Sequence, residues 1–302
     1  MRLLLVDGNY YVYRSFFAIR GLSNSKGEAT NAIYGFTKAI RKMLTDLKPD
    51  LAAIAWDQGM PAHRVALQPE YKQQRSEMPE DMRPQLQFLH KMTPHLGVTG
   101  ITGPDTEADD WIACYTKLAV EQGHEVVIAT NDKDIFQLVG PKVSIYSTNK
   151  TDLAEGESFA LLGGEAVLKR WGVGPQQIAD ILALTGDSSD NIPGVSGIGE
   201  KTAAKLIQQY GSVEGLYAQL ESIPNEKLRE KLRAGKELVA INRQMVALHC
   251  ELTLPYTLEK LRIVPDYPAL IAALRQCEFK SLLAEVEKEA GAVTPTNQGE
   301  LF

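Results

Sequence analysis

Three apolar stretches in the first half of the chain each run onto an aspartate, and this pattern constrains the fold more than any other. Arg2–Val6 reads as a strand closed by Asp7, Leu51–Trp56 as a strand closed by Asp57, and Glu125–Ala129 as a strand followed by Asp132 and Asp134. Helical spacing fills the intervals. Apolar residues recur at Ile33, Phe36, Ile40, Leu44 and Leu47 within Ala29–Leu47, and Thr106–Gln122 reads as a further helix. Val143–Tyr146 adds another strand. Strands alternating with helices predict an α/β fold with a mostly parallel central sheet and helices on both faces. Such a sheet sets neighbouring strand ends side by side, so Asp7, Asp57 and Asp132 should converge on the crevice where this architecture binds ligands.

From about Leu161 onward the pattern becomes helix after helix, punctuated at Gly174-Pro175 and Ile192-Pro193-Gly194. This predicts an α/β domain over residues 1–170 and a helical domain over 171–290, divided near Trp171. Ala62–Met82 is polar, Pro-flanked and without apolar periodicity, and reads as a mobile excursion from the sheet. Residues 291–302 read as a flexible tail.

Two more acidic clusters accompany the strand ends: Glu107, Asp109 and Asp110 in TEADD, and Asp187 and Asp190 in GDSSDN, making nine carboxylates with those above. Each has an ordinary explanation. Asp7 and Asp57 suit turns after strands, acids in a first helical turn complement the helix dipole, and Asp132 suits an N-cap. Together these explanations fail, because packed carboxylates raise one another's pKa unless a cation sits among them. All-oxygen donors suit a hard ion, Mg²⁺ or Mn²⁺. Nine acids are too many for one ion. They match a pair of ions about 3.5–4 Å apart that steadies the attacking and leaving oxygens of an in-line phosphoryl displacement. No Ser/His or Cys/His pairing offers another nucleophile, which leaves water.

The formal net charge of -6 is unhelpful to a phosphate-binding surface, but acids gathered in one cluster leave the remaining surface nearer neutral. Three distant cysteines fit a reducing cytoplasm, the scattered histidines show no zinc-ligand spacing, and no apolar run is long enough to span a membrane.

The series LVDGN, WD, EADD, TNDKD and GDSSDNIPGVSGIGEKTA strongly resembles the flap endonuclease superfamily, and most of all the 5′-nuclease domain of bacterial DNA polymerase I and its stand-alone relatives. The resemblance runs from Arg2 to about Gln244. It implies a PIN-like nuclease domain with a helical arch near residues 62–95, and a structure-selective 5′-3′ exonuclease and flap endonuclease. It also implies that Asp7, Asp57, Glu107 and Asp109 hold a first metal ion and that Asp109, Asp132, Asp134 and Asp190 surround a second, with Asp110 and Asp187 farther out. Lys72 and Arg75 of EYKQQR match basic residues at the base of the arch; three residues apart, they would share a helix face and neutralise the scissile phosphate. Tyr13 and Arg14 match an aromatic that stacks on a frayed base and its basic neighbour; core packing also suits Tyr13.

Gly194-Val195-Ser196-Gly197-Ile198-Gly199-Glu200-Lys201 is not a P-loop, since Glu200 separates the last glycine from the lysine. A helix–hairpin–helix fits, with Gly194, Gly197 and Gly199 presenting backbone N–H groups to a DNA phosphate and Lys201 and Lys205 adding charge over residues 187–210. The family resemblance implies a helix-three-turn-helix with a K⁺ ion on its loop carbonyls. At the end of the chain, Gln298, Leu301 and Phe302 resemble the peptide by which bacterial repair proteins dock on the sliding clamp. A monomeric, cytoplasmic nuclease of DNA 5′ ends, flaps and RNA-primer hybrids is the leading expectation. A catalytically quiet, clamp-recruited flap-binding scaffold and a PIN-type ribonuclease are the alternatives.

Overall fold

The computed structural model describes residues 1–293. The clamp-binding expectation at Gln298, Leu301 and Phe302 lies outside the described residues. The first half runs β1 (Arg2–Asp7), α1 (Gly8–Ala18), α2 (Asn31–Leu47), β2 (Leu51–Ala55), α3 (Ala62–Leu67), α4 (Met82–Met92), β3 (Thr99–Ile101), α5 (Ala108–Glu121), β4 (Glu125–Ala129), β5 (Val143–Ser147) and β6 (Ala160–Leu162). These strands form one sheet in the order β3-β2-β1-β4-β5-β6, parallel except for β6.

The alternation of side chains along each strand explains why both faces are covered. Leu3, Leu5, Ala53 and Ile128 pack with Trp111, Ile112 and Tyr115 of α5, while Leu4, Val6, Ile54 and Val127 pack with Ile33, Phe36 and Ile40 of α2. Chain order reverses at β1, which lies between β2 and β4. Asp7 therefore ends its strand at the topological switch point, where the neighbouring crossovers diverge and leave a crevice.

The second half runs α6 (Gly164–Trp171), α7 (Ile178–Thr185), α8 (Glu200–Tyr210), α9 (Val213–Ala218), α10 (Glu226–Ala234), α11 (Lys236–Met245), α12 (Tyr267–Gln276) and α13 (Lys280–Val293). α7, α8 and α11 pack together, with Asn242 of α11 donating to the carbonyls of Ala183 (3.0 Å) and Pro193 (2.7 Å). The expected division of the chain needs correcting at its far end. The apolar stripe Leu270, Leu274, Leu282 and Val286 carries α12 and α13 back onto the α2 face of the sheet, where Arg41 pairs with Glu289. Those two helices belong with the α/β half. No helix among the described residues is long and apolar enough to cross a membrane.

Candidate active site

The strand ends deliver their acids as the sheet order requires. Asp7 stands beside Ala55 in the β1–β2 register, and Val6 beside Ala129 in β1–β4. One Asp7 oxygen accepts the Tyr10 N–H (2.9 Å) and so caps α1; the other accepts the Thr130 hydroxyl (3.0 Å). Asp57 accepts the Ala108 N–H (2.8 Å), which ties β2 to the start of α5 and to Asp109. Asp132 accepts the Asp134 N–H (3.0 Å) and opens the short 3-10 turn Asp134–Leu138. Asp7 thus caps a helix, whereas Asp132 only bonds the backbone two residues on, ahead of Lys133 at the N-cap of its turn. These bonds occupy only part of each carboxylate's hydrogen-bonding capacity.

What remains of these acids is mutually repulsive. Burial, then Asp57, pushes the Asp7 carboxyl up to about 7. Burial raises Asp57 as well. Asp109 is held well above its ordinary value by desolvation and by Asp132, Asp7 and Asp57. Asp134 is raised likewise, by desolvation and then by Asp132, Asp187 and Asp190, and Asp132 rises for the same reasons. These acids come from distant chain segments, and each feels the charge of at least one neighbouring carboxylate.

Basic residues reach into the cluster. Lys72, with its side chain 12% exposed, bonds Glu107 and lies 3.6 Å from Asp190. Desolvation opposes its charge, but Glu107 and Asp190 outweigh that and raise its pKa. Arg75 pairs with Asp190. The two do not share a helix face as expected. Lys72 takes a left-handed backbone (φ 57°), its N–H donates to the Asp190 carbonyl (3.1 Å), and the chain continues in turns. Segment 68–75 is therefore fastened to loop 188–191, with Gln74 donating to the Ser188 carbonyl (2.8 Å) and Asn191 to the Glu70 carbonyl (2.7 Å).

Asp110, expected farther out than the residues on the ions, is held by Arg64. Its oxygens accept both terminal nitrogens of Arg64 (2.8 and 2.9 Å) and the His249 N–H (2.9 Å), so it supports the site as Arg64's counter-ion. Asp187 accepts from Ser189 and pairs with Lys133 (3.0 Å); burial pushes its pKa up, but these hydrogen bonds outweigh burial and lower it. Arg64, Tyr71, Thr130 and Lys133 escaped sequence reasoning. Lys133 sits between two candidate acids and Tyr71 directly precedes Lys72, so both carried a signal. Arg64, an arginine in a polar stretch, carried none, although it is 3% exposed and also bonds Glu107 and the carbonyls of Met245 (3.2 Å) and Ala247 (3.1 Å).

Among the described residues no three acidic, imidazole or thiol groups are drawn close enough to form a ready-made metal cage. The donor set nonetheless fits divalent ions. It is all oxygen, several of its acids are held above their ordinary pKa, and the buried Oδ1 of Asp134 has no hydrogen-bond partner.

Toward the expected DNA-binding residues, Tyr13 is half-buried with its ring 6.5 Å from that of Phe17, and Arg14 is exposed. Gly199 caps α8, and Lys201 and Lys205 are exposed on that helix. Gly194 serves backbone packing, since a Cβ there would meet the Thr185 carbonyl oxygen at 2.0 Å. At Gly197 (φ +77°) the Lys231 ammonium occupies the space a Cβ would fill, which adds a cation to the hairpin.

Carboxylates gathered at the carboxyl edge of a parallel sheet, with cations hung over them and a glycine hairpin on the helical side, define a metal-dependent nuclease. Comparison with known proteins narrows the class. The family described as "5'-3' exonuclease, N-terminal resolvase-like domain" matches residues 2–172, and "5'-3' exonuclease, C-terminal SAM fold" matches residues 173–268. The 5'-3' exonuclease of Aquifex aeolicus is 36% identical over 287 residues, covering 95% of each chain. The thermostable DNA polymerase I of Thermus thermophilus is 39% identical over 284 residues; the match covers 94% of this chain and 33% of that polymerase. The bacteriophage T5 flap endonuclease, in a pseudo-enzyme–product complex with DNA and metal ions, shares the fold with a TM-score of 0.68 at 22% identity, covering 96% of this chain and 97% of that one. The chain belongs to the 5'-3' exonuclease family.

Proposed function

We propose that this chain is a structure-selective, sequence-independent 5′ nuclease that hydrolyses phosphodiesters at DNA 5′ ends, flaps and junctions and removes RNA primers in hybrid. The observation that carries the reading is the convergence of Asp7, Asp57, Asp109, Asp132 and Asp134, each raised in pKa by burial and by like charge. Two divalent ions, Mg²⁺ with Mn²⁺ as a substitute, would bind Asp7, Asp57, Glu107, Asp109, Asp132, Asp134 and Asp190 and stabilise charge on the attacking and leaving oxygens. Lys72 and Arg75 hold positive charge at the mouth of this cluster, where a scissile phosphate is neutralised as it enters. Tyr13 offers a face to an unpaired base and Arg14 a charge to its phosphate. The Gly197–Gly199 turn, Lys201 and Lys205 grip duplex phosphates without reading bases, with K⁺ on the loop carbonyls. Gln298, Leu301 and Phe302 dock the monomer on the sliding clamp.

The test is cleavage of a 5′-flapped duplex, with single-stranded RNA beside it, in Mg²⁺ and in EDTA. Wild type should cut the flap in Mg²⁺ alone, and Asp132→Asn should not. Binding without cutting would make the chain a scaffold; preference for the RNA would make it a ribonuclease.

A further inference from the structure

Beyond the carboxyl ends of β4 and β5 lies a narrow cleft walled by Tyr10, Arg14, Thr130, Asn131, Thr148 and Arg170 among others. It adjoins the acidic centre. Thr130 donates its hydroxyl to Asp7 on one side and borders the cleft on the other, and Asn131 directly precedes Asp132. Yet no residue lining the cleft is acidic. Three carboxylates bond the wall from outside: Asp7 accepts the Thr130 hydroxyl, Asp46 that of Tyr146 and Asp152 that of Ser147.

Two arginines face this cleft without an acidic partner among the described residues. In a chain with more acids than bases, surface arginines commonly find carboxylates, as Arg41, Arg75 and Arg243 do. Arg14 and Arg170 pair with none among the described residues. The Arg14 guanidinium lies 5.8 Å from the Tyr11 ring centroid and donates to the Thr148 hydroxyl (3.3 Å). That of Arg170 lies 5.1 Å from the Phe136 centroid and 5.9 Å from that of Trp171. A guanidinium laid on a ring is oriented by it while its N–H edge stays free for a bidentate acceptor.

The enclosed part of the cleft is about 10 Å³, room for roughly one water, so no nucleobase enters. Its occupant must present compact anionic oxygens at the mouth. We infer that the cleft is a second phosphate site, held by Arg170 and Arg14 with Thr148 and Asn131. It would bind a backbone phosphate near the one placed among the acids, and Thr130 joins the two sites. The inference rests on the nuclease reading and adds to it a strand path over β4 and β5, with Arg170 as a binding residue.

The experiment measures affinity for a 5′-flapped duplex by fluorescence anisotropy, with Ca²⁺ replacing Mg²⁺, across a salt series. Arg170→Ala should weaken binding roughly tenfold and lower the slope of log Kd against log salt by about one, whereas Arg170→Lys should keep the slope. Arg170 is exposed, so the melting temperature of either variant should match wild type. Substrates carrying a single uncharged methylphosphonate locate the occupant. One position should reproduce the Arg170→Ala loss in wild type and cost nothing more in the variant. Unchanged affinity and slope in Arg170→Ala, or losses that add at every position, would overturn the site. Wild type that fails to cut flapped DNA in Mg²⁺ would instead sink the nuclease reading itself.

Discussion

Removing the Asp7 charge should stabilise the metal-free protein at neutral pH while destroying its chemistry. The Asp7 carboxyl rises from an ordinary 3.8 to about 7, first because it is buried and then because Asp57 lies near. A raised acid pKa means that the folded state binds the proton more tightly than the unfolded one. Its favourable contribution is therefore complete below about pH 4 and is lost as pH rises through about 7. The shift of roughly 3 units at about 1.4 kcal/mol each amounts to about 4 kcal/mol, of which about 2 kcal/mol falls between pH 5 and pH 7. Asparagine is the suitable substitution, because it caps a helix as well as aspartate and can still accept the Tyr10 N–H. Urea melts in EDTA at pH 5 and pH 8 provide the assay. Wild type should lose stability across this range more steeply than Asp7→Asn, and at pH 8 the variant should be the more stable protein. Added Mn²⁺ should reverse that order by stabilising wild type. Equal slopes for the two proteins, or a variant less stable at pH 8 in EDTA, would refute the reasoning.

Other consequences concern the cations. Arg64→Met leaves Asp110 a buried charge with no cation and Glu107 with Lys72 alone, and should cost about 3–5 kcal/mol of stability, read from denaturant melts. Lys72→Ala should lower single-turnover cleavage at saturating flap substrate by about 10²–10³-fold while its far-UV spectrum matches wild type. The double variant Lys201→Ala, Lys205→Ala should weaken duplex binding uniformly across sequences. It should also lower the salt slope by about two, with the saturated cleavage rate unchanged.

The strand-end acids were legible because the features that place them are local. A run such as LLLVD declares both a buried strand and its end, and in a parallel sheet neighbouring ends must meet. Helical spacing likewise revealed α2 and α5. Arg64 was invisible for the opposite reason. Its partners lie on α5 and beyond α11, and only tertiary packing brings a guanidinium from a polar stretch to near-zero exposure among them. Lys72 and Arg75 were found as residues, but their geometry was not, since a single left-handed residue held by the Asp190 carbonyl replaces a helical turn. The return of α12 and α13 to the sheet was hidden too. A stripe such as Leu270, Leu274 and Leu282 announces that a helix will be buried and says nothing about which surface will bury it.

Titration calorimetry of the wild-type protein with Mn²⁺ near pH 7 tests most directly whether these acids coexist because divalent ions neutralise them. Two ions should bind per chain, with proton release in which Asp7 takes part, and Asp7→Asn should weaken the uptake and diminish that release. Absence of Mn²⁺ uptake by the folded wild-type chain would contradict the metal centre.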